Sequence, residues 1–317
     1  MRIFFHDCYK FISKSTNMEQ KVKIFFKNKR VLIIPAVVLG LIIGAFLYCY
    51  QNDSAGEGPY LEIDALNVGK ADCLIITDGD HTILIDTATA DMSSGILARL
   101  QELHVSKIDL MIITHYDKDH IGSAPYIVKN FTIEELVMPD YLPEDSERLE
   151  RLMELPTKNK PKLIAKPYTV QIGPIRLDIR PCIDSEKLIA EKIEKNKEFD
   201  NDQSLVTMLT FEGKNFLFTG DIEKDRCKEL LEDDSFSLKA DWIKMPEHGR
   251  YQKKLPDLIE QVNPTYAVIS TSNEEQPSDK TLKLLKEHNI AYYGTYDGDI
   301  VTICNNRSVI EVNAKKS

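Results

Sequence analysis

"THYDKDHIGS", residues 114–123, places His115, Asp117, Asp119 and His120 within six positions, directly after the apolar run Leu110-Met111-Ile112-Ile113. The chain of 317 residues has only seven histidines, and two of them stand here beside two carboxylates. The apolar run reads as a buried strand, and open α/β sheets place their ligand sites at the C-terminal ends of strands. An ordinary turn needs no such groups. Held together, they would repel or stay unsatisfied unless a cation neutralised them. Imidazole and carboxylate suit Zn²⁺, and a carboxylate-rich set also admits Mn²⁺. The four residues are therefore candidate metal ligands, His115 with Asp117 at one position and Asp119 with His120 at its neighbour. The competing reading is a capped turn whose side chains only satisfy the backbone.

Working outward, apolar β-branched segments alternate with turn residues. "YLEIDALNV" (60–68), "DCLIIT" (72–77) and "TILIDT" (82–87) read as strands, the last two joined by a tight turn at "DGDH". "SSGILARLQEL" (93–103) has helical spacing and a serine start, and "KIDLMIIT" (107–114) is the buried strand. Further strands are expected at "IEELVM", "TVQIGPIRLDI", "QSLVTMLTFEG", "NFLFTG", "ADWIKM", "TYAVIS", "IAYYGT" and "DIVTICN". Helices are expected at "KDRCKELLE", "KLPDLIEQV" and "SDKTLKLLKEH". Hairpins followed by strands alternating with helices occur twice, so two half-sheets should pack face to face with helices outside, an α/β four-layer αββα sandwich. The charged stretch 186–202 reads as a solvated helix or loop.

The N-terminal part differs in character. Val31 to Tyr50 carries no charge and, at about 1.5 Å per residue, matches the roughly 30 Å hydrocarbon layer. Five basic residues between Lys21 and Arg30 precede it, so the positive-inside bias puts the N-terminus in the cytoplasm and the rest outside. The expected organisation is a basic cytoplasmic tail (1–30), a transmembrane signal anchor (31–50), a polar linker (51–59) and one domain (60–317). Gly40 and Gly44 form a GxxxG pair, a weak helix-dimerisation signal. Net charge is −10 overall. Residues 1–30 hold eight Lys/Arg against two Asp/Glu, which leaves −16 on residues 51–317 and argues against strong electrostatic binding of nucleic acid. Among the six cysteines, Cys73, Cys182, Cys227 and Cys304 lie far apart with no zinc-ribbon spacing.

The 114–123 stretch resembles the metal-binding motif of the metallo-β-lactamase fold, usually H-x-H-x-D-H, with aspartate in place of the second histidine. That replacement is similar to the extracellular hydrolase domain of ComEC-type competence proteins. "LNVGKADCLIITDGDHTILIDTA" (66–88) resembles the family's "VGQGDA" turn, hairpin and "LIDTG". "NDQSLVTMLTFEGKNFLFTGDIE" (201–223) resembles its "N-x-x-S-L-V" strand and "TGD", and "DWIKMPEHG" (241–249) resembles its "LKVPHHG". The resemblance runs from Tyr60 to Ile303.

It implies that Asp221 bridges two ions and that His248 completes the second site. No histidine lies between His120 and His248 to supply the usual third ligand of the first ion, so Asp202, or Asn201, becomes the candidate. Glu247 stands where "HHG" has its first histidine, a position from which it would ligate, act as a base or weaken the site. Asp72 is expected to orient His115 or His120 as a hydrogen-bond acceptor, or to serve as a turn carboxylate. The implied chemistry is hydrolysis by a water activated between two divalent ions, with the catalytic Asp119 holding it in line. A phosphodiester such as single-stranded DNA is the favoured substrate, with Lys70 and Arg250 available for phosphate. The alternatives are another ester or a lactone, and a degenerate domain that binds metal or ligand without turnover.

Overall fold

The structure is a computed structural model that describes residues 60–141, 147–154, 160–182, 199–305 and 310–315. Internal contacts divide the chain into units Met1–Gly58 and Pro59–Ser317, and every described residue lies in the second. The expected anchor at 31–50 falls outside the described residues. Among those described, no helix is long and apolar enough to cross a membrane.

The first half builds one sheet. Strand β1 (Leu61–Ala65) runs antiparallel to β2 (Leu74–Thr77), which turns into β3 (Thr82–Ile85). Asp78 closes that turn by accepting the backbone N–H groups of Asp80 and His81. Helix α1 (Ser93–Glu102) leads to β4 (Lys107–Ile112), after which come α2 (Lys118–Ile121), α3 (Ala124–Asn130), β5 (Thr132–Pro139), α4 (Glu147–Glu154) and β6 (Lys162–Ile164). From β3 to β6 the strands are parallel.

The second half repeats the plan. Strands β7 (Tyr168–Ile172) and β8 (Ile175–Arg180) form a hairpin, and helix α5 (Phe199–Asp202) precedes β9 (Val206–Phe211) and β10 (Lys214–Phe218). Helix α6 (Lys224–Glu232), β11 (Trp242–Lys244), α7 (Leu255–Val262), β12 (Tyr266–Ile269), α8 (Asp279–Glu287) and β13 (Ala291–Gly294) follow, with β10 to β13 parallel. Strands β14 (Asp299–Cys304) and β15 (Ile310–Lys315) return to the first sheet, where β14 pairs antiparallel with β1. The sheet orders are β15-β14-β1-β2-β3-β4-β5-β6 and β13-β12-β11-β10-β9-β8-β7.

The two sheets pack face to face. Ile63, Ile76, Leu110 and Ile112 of one meet Leu177, Leu209, Phe216 and Trp242 of the other in a shared core. The Trp242 indole N–H donates across the seam to Thr302 Oγ1 at 3.1 Å. Alternate residues of the first apolar run serve different layers: Leu110 and Ile112 point into the seam, whereas Met111 and Ile113 pack under α1, α3 and α4. Both faces are covered, so the run is continuously apolar rather than alternating. Helices α6, α7 and α8 cover the second sheet through Cys227, Leu230, Leu258, Ile259 and Leu285. This is the expected αββα layering.

Three expectations need correction. The stretch 169–179 is two strands rather than one, because Gly173 takes φ +52° and Pro174 follows it, reversing the chain. "DIVTICN" belongs to the first sheet rather than the second half, since Leu61 pairs with Cys304. The charged stretch 186–202 does not end in solvent, for Phe199 and Asp202 are buried.

Candidate metal centre

The site forms where loops at the C-terminal ends of β3, β4, β10 and β11 converge. His115 leaves β4 after Thr114, whose carbonyl accepts the Leu205 N–H at 2.9 Å. Short helix α2 carries Asp119 and His120. Its placement is fixed by backbone bonds from two other loops: Asp72 N–H to the Asp119 carbonyl at 3.1 Å, and Thr87 N–H to the His120 carbonyl at 2.7 Å. Gly122 closes that helix so tightly that a Cβ there would lie 2.5 Å from the Lys118 carbonyl and 2.6 Å from that of Ala88. His248 comes from a turn in which Glu247, His248 and Gly249 all have positive φ (46°, 51° and 79°). Two non-glycine residues in the left-handed region are costly, and such strain persists where surrounding contacts over-determine it.

The imidazoles converge. His115 and His120 rings are 4.0 Å apart between centroids, and those of His120 and His248 are 5.6 Å apart. Asp221 Oδ2 lies 3.2 Å from His120 Nε2 and 3.0 Å from His248 Nε2, while Asp119 Oδ2 lies 3.6 Å from His248 Nε2. Asp117 faces His115 at 3.9 Å and remains half exposed at the mouth. His115, His120 and Asp221 form one group with metal-ligand spacing, and Asp119, His120 and His248 form another.

The Nε2 atoms of His115, His120 and His248 are all buried without a hydrogen-bond partner. A buried polar atom left unpaired costs about 1–3 kcal/mol. Buried imidazole nitrogens turned inward in two adjoining groups, with carboxylates among them, are what a cation site requires, so the donor set fits divalent metal.

The opposite ring nitrogens are all engaged. His120 Nδ1 meets Asp86 Oδ2 at 2.8 Å, and His248 Nδ1 donates to the Ser270 carbonyl at 2.9 Å. The Thr114 hydroxyl donates to Asp86 at 2.7 Å, which leaves its oxygen to accept from His115 Nδ1 at 3.0 Å. Each histidine thus carries its proton on Nδ1 and presents Nε2 to the centre. Asp86 rather than Asp72 does the orienting expected above. Asp72 stands 3.8 Å from His120 Nδ1 and instead pairs with the buried ammonium of Lys244.

The electrostatics follow this geometry. Burial, then the neighbouring His120, pull the His115 imidazole down to about 4. Burial would also lower His248, but Asp221 and Asp119 outweigh it and lift the group to about 9. His120 is raised well above its usual range because Asp221 and Asp86 overcome its burial. Burial works against ionised Asp119 and Asp221 too, yet the facing imidazoles hold both far below the ordinary carboxylate range.

Asp202 is not drawn into the centre. Its Oδ1 accepts the N–H groups of Glu223 and Arg226 at 2.9 and 3.3 Å, so it caps the start of α6. The candidate third ligand is corrected accordingly. Asn201 is also committed elsewhere, its amide donating to Glu247 Oε2 at 2.9 Å. Asp200 is the acid that stands beside Asp117, and its Oδ1 is buried. Burial and the Asp117 charge raise it to about 7. Glu247 is buried beside Asp221 and likewise raised to about 7 by burial and that charge. Lys70 and Arg250 both approach its Oε1, at 3.9 and 3.7 Å, and Arg250 also donates to Glu223 at 3.0 Å.

Sequence reasoning overlooked Asp86, Asp200 and Lys244. Asp86 and Lys244 had a signal, an ionisable residue inside "ILIDT" or "DWIKM", where burial is costly without a partner. Asp200 had none beyond its place among acids.

Residues 66–272 match the Metallo-beta-lactamase superfamily. The chain is 26% identical over 252 residues to ComE operon protein 3 of Bacillus subtilis (strain 168), covering 72% of this chain and 31% of that protein. It therefore spans under a third of the length of that relative. The fold is similar to that of the metallo-beta-lactamase fold protein YhfI from Bacillus subtilis, with a TM-score of 0.51 and 14% identity, covering 80% of this chain and all of that one. It is also similar to that of CmlA β-hydroxylase, with a TM-score of 0.51 and 11% identity, covering 74% and 52% of the two chains.

Proposed function

Because the chain belongs to the metallo-β-lactamase superfamily, we propose that its centre is that of a dinuclear metallohydrolase acting on phosphodiesters. The observation that carries this reading is that Asp221 Oδ2 lies between the Nε2 atoms of His120 and His248 while His115 shares a metal-ligand grouping with His120 and Asp221. His115 and Asp117, with Asp200 replacing the absent histidine, would hold one Zn²⁺ or Mn²⁺. Asp119, His120 and His248 would hold the other, and Asp221 would join the two. Bound ions would supply an activated water and stabilise charge developing on the attacked centre. Asp119, carried on α2, would orient that water through its carboxylate. Asp86 and the Ser270 carbonyl keep the Nδ1 protons of His120 and His248 in place, so the rings do not flip and Nε2 is the atom each turns to the centre.

Fold alone does not decide the reaction, since a β-hydroxylase shares it. Support for a phosphodiester comes from the likeness to a competence-operon protein and from Lys70 and Arg250 at the mouth. A second reading, an uncharged ester or lactone, is favoured by Glu247, which both cations already approach. The net −16 on residues 51–317 leans the same way. A metal- or ligand-binding domain without turnover is the third. In all three, residues 31–50 anchor the domain outside the cytoplasmic membrane.

Metal-loaded protein assayed on bis-p-nitrophenyl phosphate, single-stranded DNA and a lactone panel should cleave a phosphodiester. Asp119→Ala should lower that rate by at least ~100-fold. Turnover confined to lactones moves the assignment to the second reading. Fewer than two ions per chain with no turnover moves it to the third. Protease added to intact cells should degrade the domain, and protection would overturn the orientation.

A further inference from the structure

Lys244 ends β11 with its side chain 1% exposed, in the wall of the metal centre. An ammonium has three donors and no acceptor. Here it faces three acceptors: the Gly220 carbonyl at 3.0 Å, Asp221 Oδ1 at 3.1 Å, and a carboxylate oxygen of Asp72. The two oxygens of Asp221 are thereby divided between different tasks. Oδ1 is held by Lys244, and Oδ2 stands 3.2 and 3.0 Å from the Nε2 atoms of His120 and His248. The Asp221 N–H donates to Ser204 Oγ at 3.1 Å, which fixes the backbone from which that carboxylate projects.

We infer that Lys244 is a positioning residue that withholds one oxygen of Asp221, so that both metal ions share the other oxygen alone. This rests on the dinuclear reading above. A carboxylate with both oxygens free bridges two cations through its O–C–O span and sets them further apart than a single shared oxygen does. Pinning Oδ1 therefore fixes the spacing of the pair, a quantity on which two-ion catalysis depends. It also separates this lysine from one that merely compensates Asp72. A compensator has no need to touch Asp221.

The test compares wild type, Lys244→Met and Asp72→Asn, each loaded with Mn²⁺ and read by ion stoichiometry and by the exchange-coupled electron paramagnetic resonance signal. Lys244→Met keeps the aliphatic stem and frees Oδ1. Its coupled signal should change, or the second ion should bind at least ~10-fold more weakly, whereas Asp72→Asn should keep the wild-type signal. If burying Asp72 unpaired prevents Lys244→Met from folding, the Asp72→Asn/Lys244→Met double variant removes both buried charges and should show the changed signal. Two ions with an unaltered signal and affinity in the lysine variants overturn the role of Lys244 alone. Fewer than two ions in wild type overturn the dinuclear reading, and this inference with it.

Discussion

At the residue scale, one carboxylate organises most of the centre. Asp86 accepts the Thr114 N–H and hydroxyl and faces His120 Nδ1, so it fixes the ring of His120 directly and that of His115 through Thr114. Its own N–H is tied to the Ile112 carbonyl at 2.9 Å, and its φ of 58° is a conformation that L-residues hold only under such constraint. Removing it costs two imidazole orientations at once. Asp86→Ala should weaken metal binding by about 10- to 100-fold, read by competition with a chromophoric chelator. An affinity within twofold of wild type would show that packing alone holds the rings.

At the element scale, α2 is a helix of four residues, too short to be stable by its own hydrogen bonds. It exists because the loops after β1 and β3 accept and donate around it, and because Gly122 lets the chain pass against Ala88 and Ala90. A Cβ at Gly122 would meet backbone atoms at 2.5, 2.6 and 2.7 Å, none of which can swing aside. Gly122→Ala should therefore destabilise the domain by about 1–3 kcal/mol in urea titration and lower metal affinity, since α2 carries Asp119 and His120. A stable variant with unchanged affinity would show that the helix can shift without moving its ligands.

On the scale of the whole molecule, protons and Lys244 compensate the acids of the centre. His248 in the folded chain titrates near 9, above its ordinary 6.5. Its pairing with Asp221 and Asp119 thus stabilises the fold fully below about pH 6.5, and that contribution is lost as pH rises through 9. Metal needs the unprotonated Nε2, so cations and protons compete for the same atom. Metal affinity should climb by up to about tenfold per pH unit between 7 and 9, and ion saturation at a hundred times Kd should add about 2.7 kcal/mol of stability. Calorimetric titration in buffers of different ionisation enthalpy would detect the released proton. A flat profile would contradict the raised imidazole.

The layering, most elements and four clustered ligand candidates were legible in the chain because they follow from local rules. A buried strand is continuously apolar, a covering helix repeats near 3.6 residues, and histidines with acids after an apolar run need a counter-charge. The same logic reached Asp221 and His248 only through the resemblance, because their partners lie over a hundred residues away in the chain. It failed where several acids compete for one place. In "EFDND" the sequence treats Asp200 and Asp202 alike, and α5 turns one toward Asp117 and the other onto the start of α6. Likewise Asp72 and Asp86 each follow or precede an apolar strand, yet only the crossing of β3 beside β4 brings Asp86 to His120. The sequence by itself determined which chemical groups are available and that they must be buried together. Tertiary structure alone decided which acid meets which base, because hydrogen-bond partners are set by distances of a few ångströms between segments whose separation along the chain carries no such information.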